Sequence, residues 1–371
     1  MFHLVTGFLG LFVALHVWPL LPKGFAFKAF SFALIMLVSQ HHLITKLTFG
    51  TMFAAEIPRS MMIVVNILFA TLVFAAVLFL ALEILRIVGF IVNQRWLPLP
   101  PVASWLVLSV ALALGGTGVL SAIGQPDVRR VEIPIRGLST SLDGYRVVQL
   151  TDLHLSRIFT ASWSSEVVER TNALEADAIV ITGDLIDGTI ADRTKDVAPL
   201  GNLKASDGVF VISGNHEYYF GHDAWMNHYE GLGMTRLANS HVVLGSAEEG
   251  LVLAGIPDLS AAGFGHPGPD LATALEAAPE DLPVVLLNHQ PKMAADYEEA
   301  GVALQLSGHT HGGMIKGFDW LISKFNGGYV SGLYSVGEMT LYVSNGTALW
   351  PGFAVRLGVP AEITVFTLRT P

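Results

Sequence analysis

Side chains able to hold a metal ion recur along this chain in a short ordered series: Asp152 and His154, then Asp184, then Asn215, His289, His309 and His311, with His216 beside Asn215. They offer oxygen and imidazole donors only, a set suited to divalent Mn, Fe, Zn or Mg. The chain has no cysteine, which excludes disulfides, thiolate metal sites and a cysteine nucleophile. Asp152 and His154, two residues apart, can both reach one centre from an extended backbone. Singly, each residue has a plainer reading. An Asp after a strand is commonly a turn or cap residue, and Gly183 and Gly214 can simply permit tight turns. The whole ordered set is what points to an assembled cation centre.

Such residues act together only if the fold delivers them to one place. Residues 145–150, 176–182, 208–213, 251–256, 283–287 and 303–306 read as short strands. The continuous apolar runs among them suggest burial on both faces. Thr151 to His154, Gly183 and Asp184, Gly214 to Glu217, Asn288 with His289, and Ser307 to His309 each follow the end of one of these strands. Helical stretches fit at 162–174, 192–203 and 222–232, with two proline-led helices at 269–278 and 291–299. This alternation predicts layered α/β packing, with the polar groups gathered in a crevice at the carboxyl edge of a sheet. Residues 131–135, 339–344 and 362–368 supply further strands, and a glycine-rich excursion runs between His311 and Leu341.

In this order the residues resemble the calcineurin-like metallophosphoesterase family. The matching motifs are Asp152-Leu153-His154, Gly183-Asp184, Gly214-Asn215-His216-Glu217, Asn288-His289 and Gly308-His309-Thr310-His311, and the resemblance covers Val131 to Leu368. It implies a four-layer α/β/β/α sandwich. It also implies two divalent metal ions, one held by Asp152, His154, Asp184 and His311, the other by Asp184, Asn215, His289 and His309. Asp184 would bridge them. Such a pair acidifies water for in-line attack on phosphorus and neutralises the growing oxygen charge. The resemblance places His216 beside the leaving oxygen as the catalytic residue, able to donate a proton. Glu217 is expected to orient a histidine rather than bind metal.

The first third of the chain is of another kind. Residues 1–126 hold six Lys or Arg against two Asp or Glu, a net charge of +4, whereas the remainder carries −14. The run 61–82 has Asn66 as its only strongly polar side chain and is long enough to cross hydrocarbon. Residues 102–123 make a second span, where Gly115, Gly116 and Gly118 would allow close helix approach. Residues 2–21 and 25–45 complete an expected four. The domains expected are therefore a transmembrane bundle at 1–126 and a metallophosphoesterase domain at 127–371. Positive charges divide five against four between the two sides, which assigns no orientation.

Within the family, the Gly308 to Gly313 stretch and residues 341–346 look like the membrane-associated bacterial branch of YkuE and YaeI type. This implies a bacterial inner or cytoplasmic membrane. Some relatives cleave lipid-linked substrates, but Met314 stands where Gln is common and Asn345 where Arg is frequent, so the resemblance does not fix the substrate. The expected partners are membrane lipids and a phosphate-containing substrate, a phosphodiester or a pyrophosphate that a lipid can carry. The acidic soluble part argues against a nucleic-acid partner. The competing readings are a phosphomonoesterase or phosphoprotein phosphatase, and a catalytically quiet membrane scaffold. Arg157 and Arg356 are candidate phosphate contacts. Tyr218, Tyr219 and Phe220 are a candidate pocket wall, and Phe318, Trp320, Leu321, Ile322 and Phe325 a candidate rim or bilayer contact.

Overall fold

The computed structural model describes residues 1–96 and 98–371. The chain forms two compact units, one of Met1–Ala122 with Pro351–Leu357, the other of Ile123–Trp350 with Gly358–Pro371.

The first unit is helical: α1 (Phe2–Val17), α2 (Phe25–Ser39), α3 (His41–Phe49), α4 (Arg59–Asn93) and α5 (Pro101–Ala122). Among the described residues three of its helices are long and apolar enough to cross a membrane, and α2 with α3, bent by 62°, can form a fourth span. The sequence places the end of the third span near Leu82, yet α4 continues to Asn93. Its 35 residues reach about 52 Å, well beyond a hydrocarbon core of about 30 Å. Glu83 is tolerated within this helix because Arg86 binds it at 2.6 Å and His16 at 3.1 Å. Gly115 lies against the backbone of Ile67 and Thr71, where a Cβ would stand 2.9 Å from the Thr71 nitrogen, so α4 and α5 approach closely at this one of the three glycines, while Gly118 lies against Val355 and Leu357. Gly116 faces nothing within 4 Å.

Asn66 explains the return of residues 351–357 to this unit. Its buried amide donates to Pro351 O at 2.9 Å and accepts from Ala354 N–H at 2.9 Å. The one strongly polar side chain of an otherwise apolar run is thus matched to two backbone groups that would otherwise lack partners.

The second unit is built on twelve strands in two six-stranded sheets. The first sheet has the order β1 (Asp127–Pro134), β12 (Glu362–Arg369), β2 (Arg146–Leu150), β3 (Ala178–Thr182), β4 (Gly208–Ile212), β5 (Thr235–Arg236). The second runs β10 (Gly332–Val336), β11 (Met339–Val343), β9 (Val302–Ser307), β8 (Val284–Leu287), β7 (Leu251–Gly255), β6 (Ser240–Leu244). Strands β2 to β5 are parallel, as are β11, β9, β8 and β7. β12 lies antiparallel to β2 and parallel to β1.

One apolar core joins the inner faces of the two sheets, with Val147, Val180, Phe210 and Ile212 from the first and Leu253, Val285, Leu306 and Tyr342 from the second. A second cluster covers the outer face of the β7–β9 sheet, where Ala274, Ala294 and Tyr297 pack on Leu286 and Leu341. On the first sheet's side run α6 (Ala161–Asn172), α7 (Ile190–Val197), α8 (Asn215–Tyr219) and α9 (His222–Gly231). β3 is buried along its whole length, as its unbroken apolar sequence predicts for a strand covered on both faces. This is the expected mixed α/β architecture, two central sheets with flanking helices.

Candidate metal centre

The parallel strands point their carboxyl ends the same way, and each delivers one part of the series. Asp152 and His154 follow β2, Asp184 follows β3, Asn215 opens α8 after β4, His289 follows β8, and His309 and His311 follow β9. The two sheets therefore contribute from both sides of the sandwich.

All seven candidate ligands converge. His154 Nε2 lies 3.9 Å from Asp152 Oδ1 and 3.8 Å from Asp184 Oδ2, and His311 Nε2 lies 3.6 Å from Asp152 Oδ1. His289 Nε2 is 3.2 Å from Asp184 Oδ2 and 3.2 Å from Asn215 Oδ1, while His309 Nδ1 is 3.0 Å from Asn215 Oδ1. Donors around an ion with bonds of about 2.1 Å sit roughly 3 to 4 Å apart, depending on the angle between them, so these separations suit shared cations. Ligand atoms of Asp152, His154 and His311 form one compact group, and those of Asp184, His289 and His309 another.

The backbone is distorted at this place. Asp152, His154, Asp184, His309 and His311 have φ of 53°, 42°, 55°, 69° and 51°, in the left-handed region that costs a side-chain-bearing residue free energy. Gly183 and Gly214 lie back to back, and a Cβ on Gly214 would collide with the Asp184 carboxylate. Only glycine lets the β3 and β4 loops close to this distance.

Imidazole orientation is fixed from behind. His289 Nδ1–H donates to Thr182 O at 2.7 Å, and His154 Nδ1–H donates to Asp187 Oδ2 at 2.9 Å, which turns each Nε2 inward. His154 Nε2 is buried and has no hydrogen-bond partner, as a nitrogen kept for a cation would be. Electrostatics agree. Burial opposes ionisation of Asp184, but the imidazoles of His289, His216 and His154 outweigh it and hold the carboxyl well below the usual range. Burial and the charge of Asp184 push Asp152 upward despite the neighbouring histidines. Burial and His289 press His309 down to about 4, leaving it a neutral donor. Two carboxylates crowded together and balanced by imidazoles form a site from which a cation would displace protons.

Asp187 is a functional residue that sequence reading missed. Its two oxygens hold two histidines, Oδ1 accepting from His216 Nδ1 at 2.6 Å and Oδ2 from His154. Burial alone would lower the His216 pKa, but the carboxylates of Asp184 and Asp187 overcome it and raise it to about 9. The available signal was a carboxylate three residues after Asp184 and behind two apolar residues. Glu217 corrects an expectation, since it orients no histidine. It accepts from the N–H groups of Gly214 at 2.7 Å, Leu185 at 2.8 Å and Asp184 at 3.0 Å, tying the β3 and β4 loops together.

The remaining candidates separate. Arg157 is exposed, whereas Arg356 is wholly buried in the helical unit and its N–H bonds Gly118 O at 2.9 Å. Asn345 is buried too, its amide taken up by Ser331, Pro360 and Glu362. Tyr218 is buried and Tyr219 exposed, and Phe318, Trp320 and Phe325 stand exposed beyond the His311 turn.

A two-sheet sandwich with carboxylates and imidazoles clustered at its strand ends defines a protein suited to holding divalent cations. The calcineurin-like phosphoesterase model matches residues 145–313. The chain is 35% identical over 268 residues to a metallophosphoesterase of Campylobacter jejuni, covering 72% of this chain and 69% of that one. It is 36% identical over 300 residues to the Bos taurus transmembrane protein with metallophosphoesterase domain, covering 76% and 66%. With the metallophosphoesterase YkuE of Bacillus subtilis it shares 31% over 274 residues, covering 71% and 94%. The chain thus spans about two thirds of the length of the first two relatives. Among solved structures, the calcineurin-like phosphoesterase YfkN of Bacillus subtilis superposes with a TM-score of 0.36 at 14% identity, covering 56% of this chain and 82% of that one. The protein belongs to the calcineurin-like metallophosphoesterase family.

Proposed function

We propose that the protein is a membrane-anchored dinuclear phosphoesterase that cleaves a phosphodiester or pyrophosphate bond in a lipid-linked substrate, with its anchor in a bacterial cytoplasmic membrane. The observation that carries this reading is the convergence of Asp152, His154, Asp184, Asn215, His289, His309 and His311 on strained backbone, with the His154 Nε2 atom buried and unpartnered. Asp152, His154, Asp184 and His311 would hold one divalent ion and Asp184, Asn215, His289 and His309 the other. When bound, such a pair supplies Lewis acidity toward water and phosphate oxygens.

The chain's own groups account for the rest. Asp184 offers a carboxylate kept ionised by its neighbours, suited to being shared between two cations. Asp187 fixes the His216 ring through Nδ1 and favours its imidazolium form. That charge can stabilise the departing oxygen and return a proton to it. His154, Asp184 and His216 also have ligand atoms within 4.8 Å of one another, so the proton donor stands beside the side chains that would hold the cations.

Lipid selectivity is supported by the apolar helices of the same chain, which would keep the hydrolase near head groups and raise effective concentration without added affinity. It is also supported by the exposed Phe318, Trp320 and Phe325, with Lys324 4.6 Å over the Trp320 ring, a composition suited to a bilayer interface. The full chain in lipid nanodiscs should hydrolyse a lipid phosphodiester at a higher kcat/KM than bis(p-nitrophenyl) phosphate. Equal values would remove the case for a lipid specialist.

A further inference from the structure

Past the metal centre, helix α8 leads to a cavity of about 170 Å3, walled by Tyr218, His222, Arg236, Asn239, Pro257 and His266. Its charged anchor is Arg236, on the short edge strand β5. Among the described residues the Arg236 side chain makes no hydrogen bond and no close ion pair, and its Nε is buried without a hydrogen-bond partner. A guanidinium with unspent donors facing a cavity is matched in charge and shape to a phosphate, which accepts its fork of N–H groups.

The other polar groups here are engaged in ways that leave this role to Arg236 and His266. Asp223 is exposed and takes the His222 Nδ1 proton at 2.9 Å. Asp258 is bonded by Gln290 and by Ser260 N–H. Tyr218 pairs its hydroxyl with Ser213 and stacks its ring on His222 at 4.3 Å. Asn239 is spent on Gly268 and Asp270. His266 Nδ1 is 3.8 Å from Asp223, too far for a hydrogen bond.

An aromatic path joins this cavity to the proton donor. The Tyr219 ring lies 5.1 Å from that of His216 and 5.7 Å from Phe264, and Tyr218 lies 6.0 Å from Phe264 and 5.4 Å from His266. Tyr219 and Phe264 are both exposed, so they offer a wall along which a leaving alcohol can lie.

We propose that this cavity is an anion subsite for a phosphate group borne by the leaving alcohol of the substrate, with Arg236 as its anchor. The proposal rests on His216 being the donor to the leaving oxygen. It narrows the substrate to a phosphodiester whose alcohol carries a second phosphate some way from the scissile bond.

The test compares three ligands sharing one diester, the dinucleotide TpT and its forms phosphorylated at either end, pTpT and TpTp. Each is titrated calorimetrically into the metal-loaded full chain in detergent and used to compete with bis(p-nitrophenyl) phosphate hydrolysis. One phosphorylated form should bind at least about ten-fold more tightly than TpT, from a charge-assisted contact. Arg236→Ala should abolish that difference and leave TpT affinity and bis(p-nitrophenyl) phosphate turnover unchanged, and Arg236→Lys should keep part of it. Equal affinity for all three ligands, or a loss in Arg236→Ala that weakens TpT as much, overturns the subsite. So does a third equivalent of Zn that His266→Ala removes, which would make the cluster with His222 and Asp223 a cation site. Absence of turnover with an intact calorimetric preference would instead fault the hydrolase reading.

Discussion

His216 donates its Nδ1 proton to Asp187 at 2.6 Å, and the other oxygen of the same carboxylate takes the Nδ1 proton of His154 at 2.9 Å. One buried acid therefore sets the orientation of a candidate metal ligand and of the candidate proton donor together. Asp187→Asn should lower both metal affinity and kcat by about ten- to a hundred-fold, as outer partners of metal-bound histidines do. Metal titration and steady-state kinetics on one preparation check this, and a variant altered in neither would remove Asp187 from the site.

The same variant carries a pH signature. Asp184 and Asp187 raise the His216 pKa to about 9 against the effect of burial. Activity that needs the imidazolium is complete below that pKa and declines as pH rises through it. Deleting the Asp187 charge lowers the pKa, so the alkaline limb of kcat should move to lower pH in Asp187→Asn. An unmoved limb would assign it to another group.

His216 and Asp184 should fail in different ways. His216→Ala keeps the donor set of the centre and should retain most of its metal while losing at least about ten-fold in kcat. Asp184→Ala removes the acid that would be shared by both ions and should lose metal and activity together. Elemental analysis beside turnover separates the two, and parallel behaviour would erase the distinction between ligand and proton donor.

A methyl group at position 214 should be enough to dismantle the centre. Its Cβ would collide with the Asp184 carboxylate, and the loops that meet there are already pinned by Glu217. Gly214→Ala should cost about 1–3 kcal/mol of stability through overpacking and reduce metal content, measured by denaturant unfolding and elemental analysis. A fully metal-loaded variant of native stability would contradict this packing account.

In the helical unit, Asn66→Ala would leave Pro351 O and Ala354 N–H short of buried partners, at about 1–3 kcal/mol each. The 351–357 segment should become sensitive to limited proteolysis in detergent. Unaltered protection would show that it is held by other contacts.

Much of the candidate site is legible because its residues sit in short motifs at strand ends, where local sequence decides both the element and the residue that follows. The unbroken apolar run of β3 and the Gly183-Asp184 pair after it are of this kind. What was hidden depends on partners distant in sequence. Nothing in Glu362–Arg369 by itself says that β12 enters between β1 and β2, since that pairing joins the two ends of the unit. Nor does the sequence around Pro351 announce a bond to Asn66, 285 residues away. Asp187 is hidden because a lone Asp after a strand resembles a turn residue, and the role of Glu217 is hidden because its partners are backbone N–H groups, which no side-chain pattern reveals.

The most direct test is turnover of bis(p-nitrophenyl) phosphate by the metal-stripped full chain as one divalent cation, such as Mn, is added back and the bound ions per chain are counted. The account predicts no activity without metal and a rise to a plateau at two ions per chain. Activity that saturates at one ion, or that is independent of metal, would contradict a dinuclear centre built on Asp184.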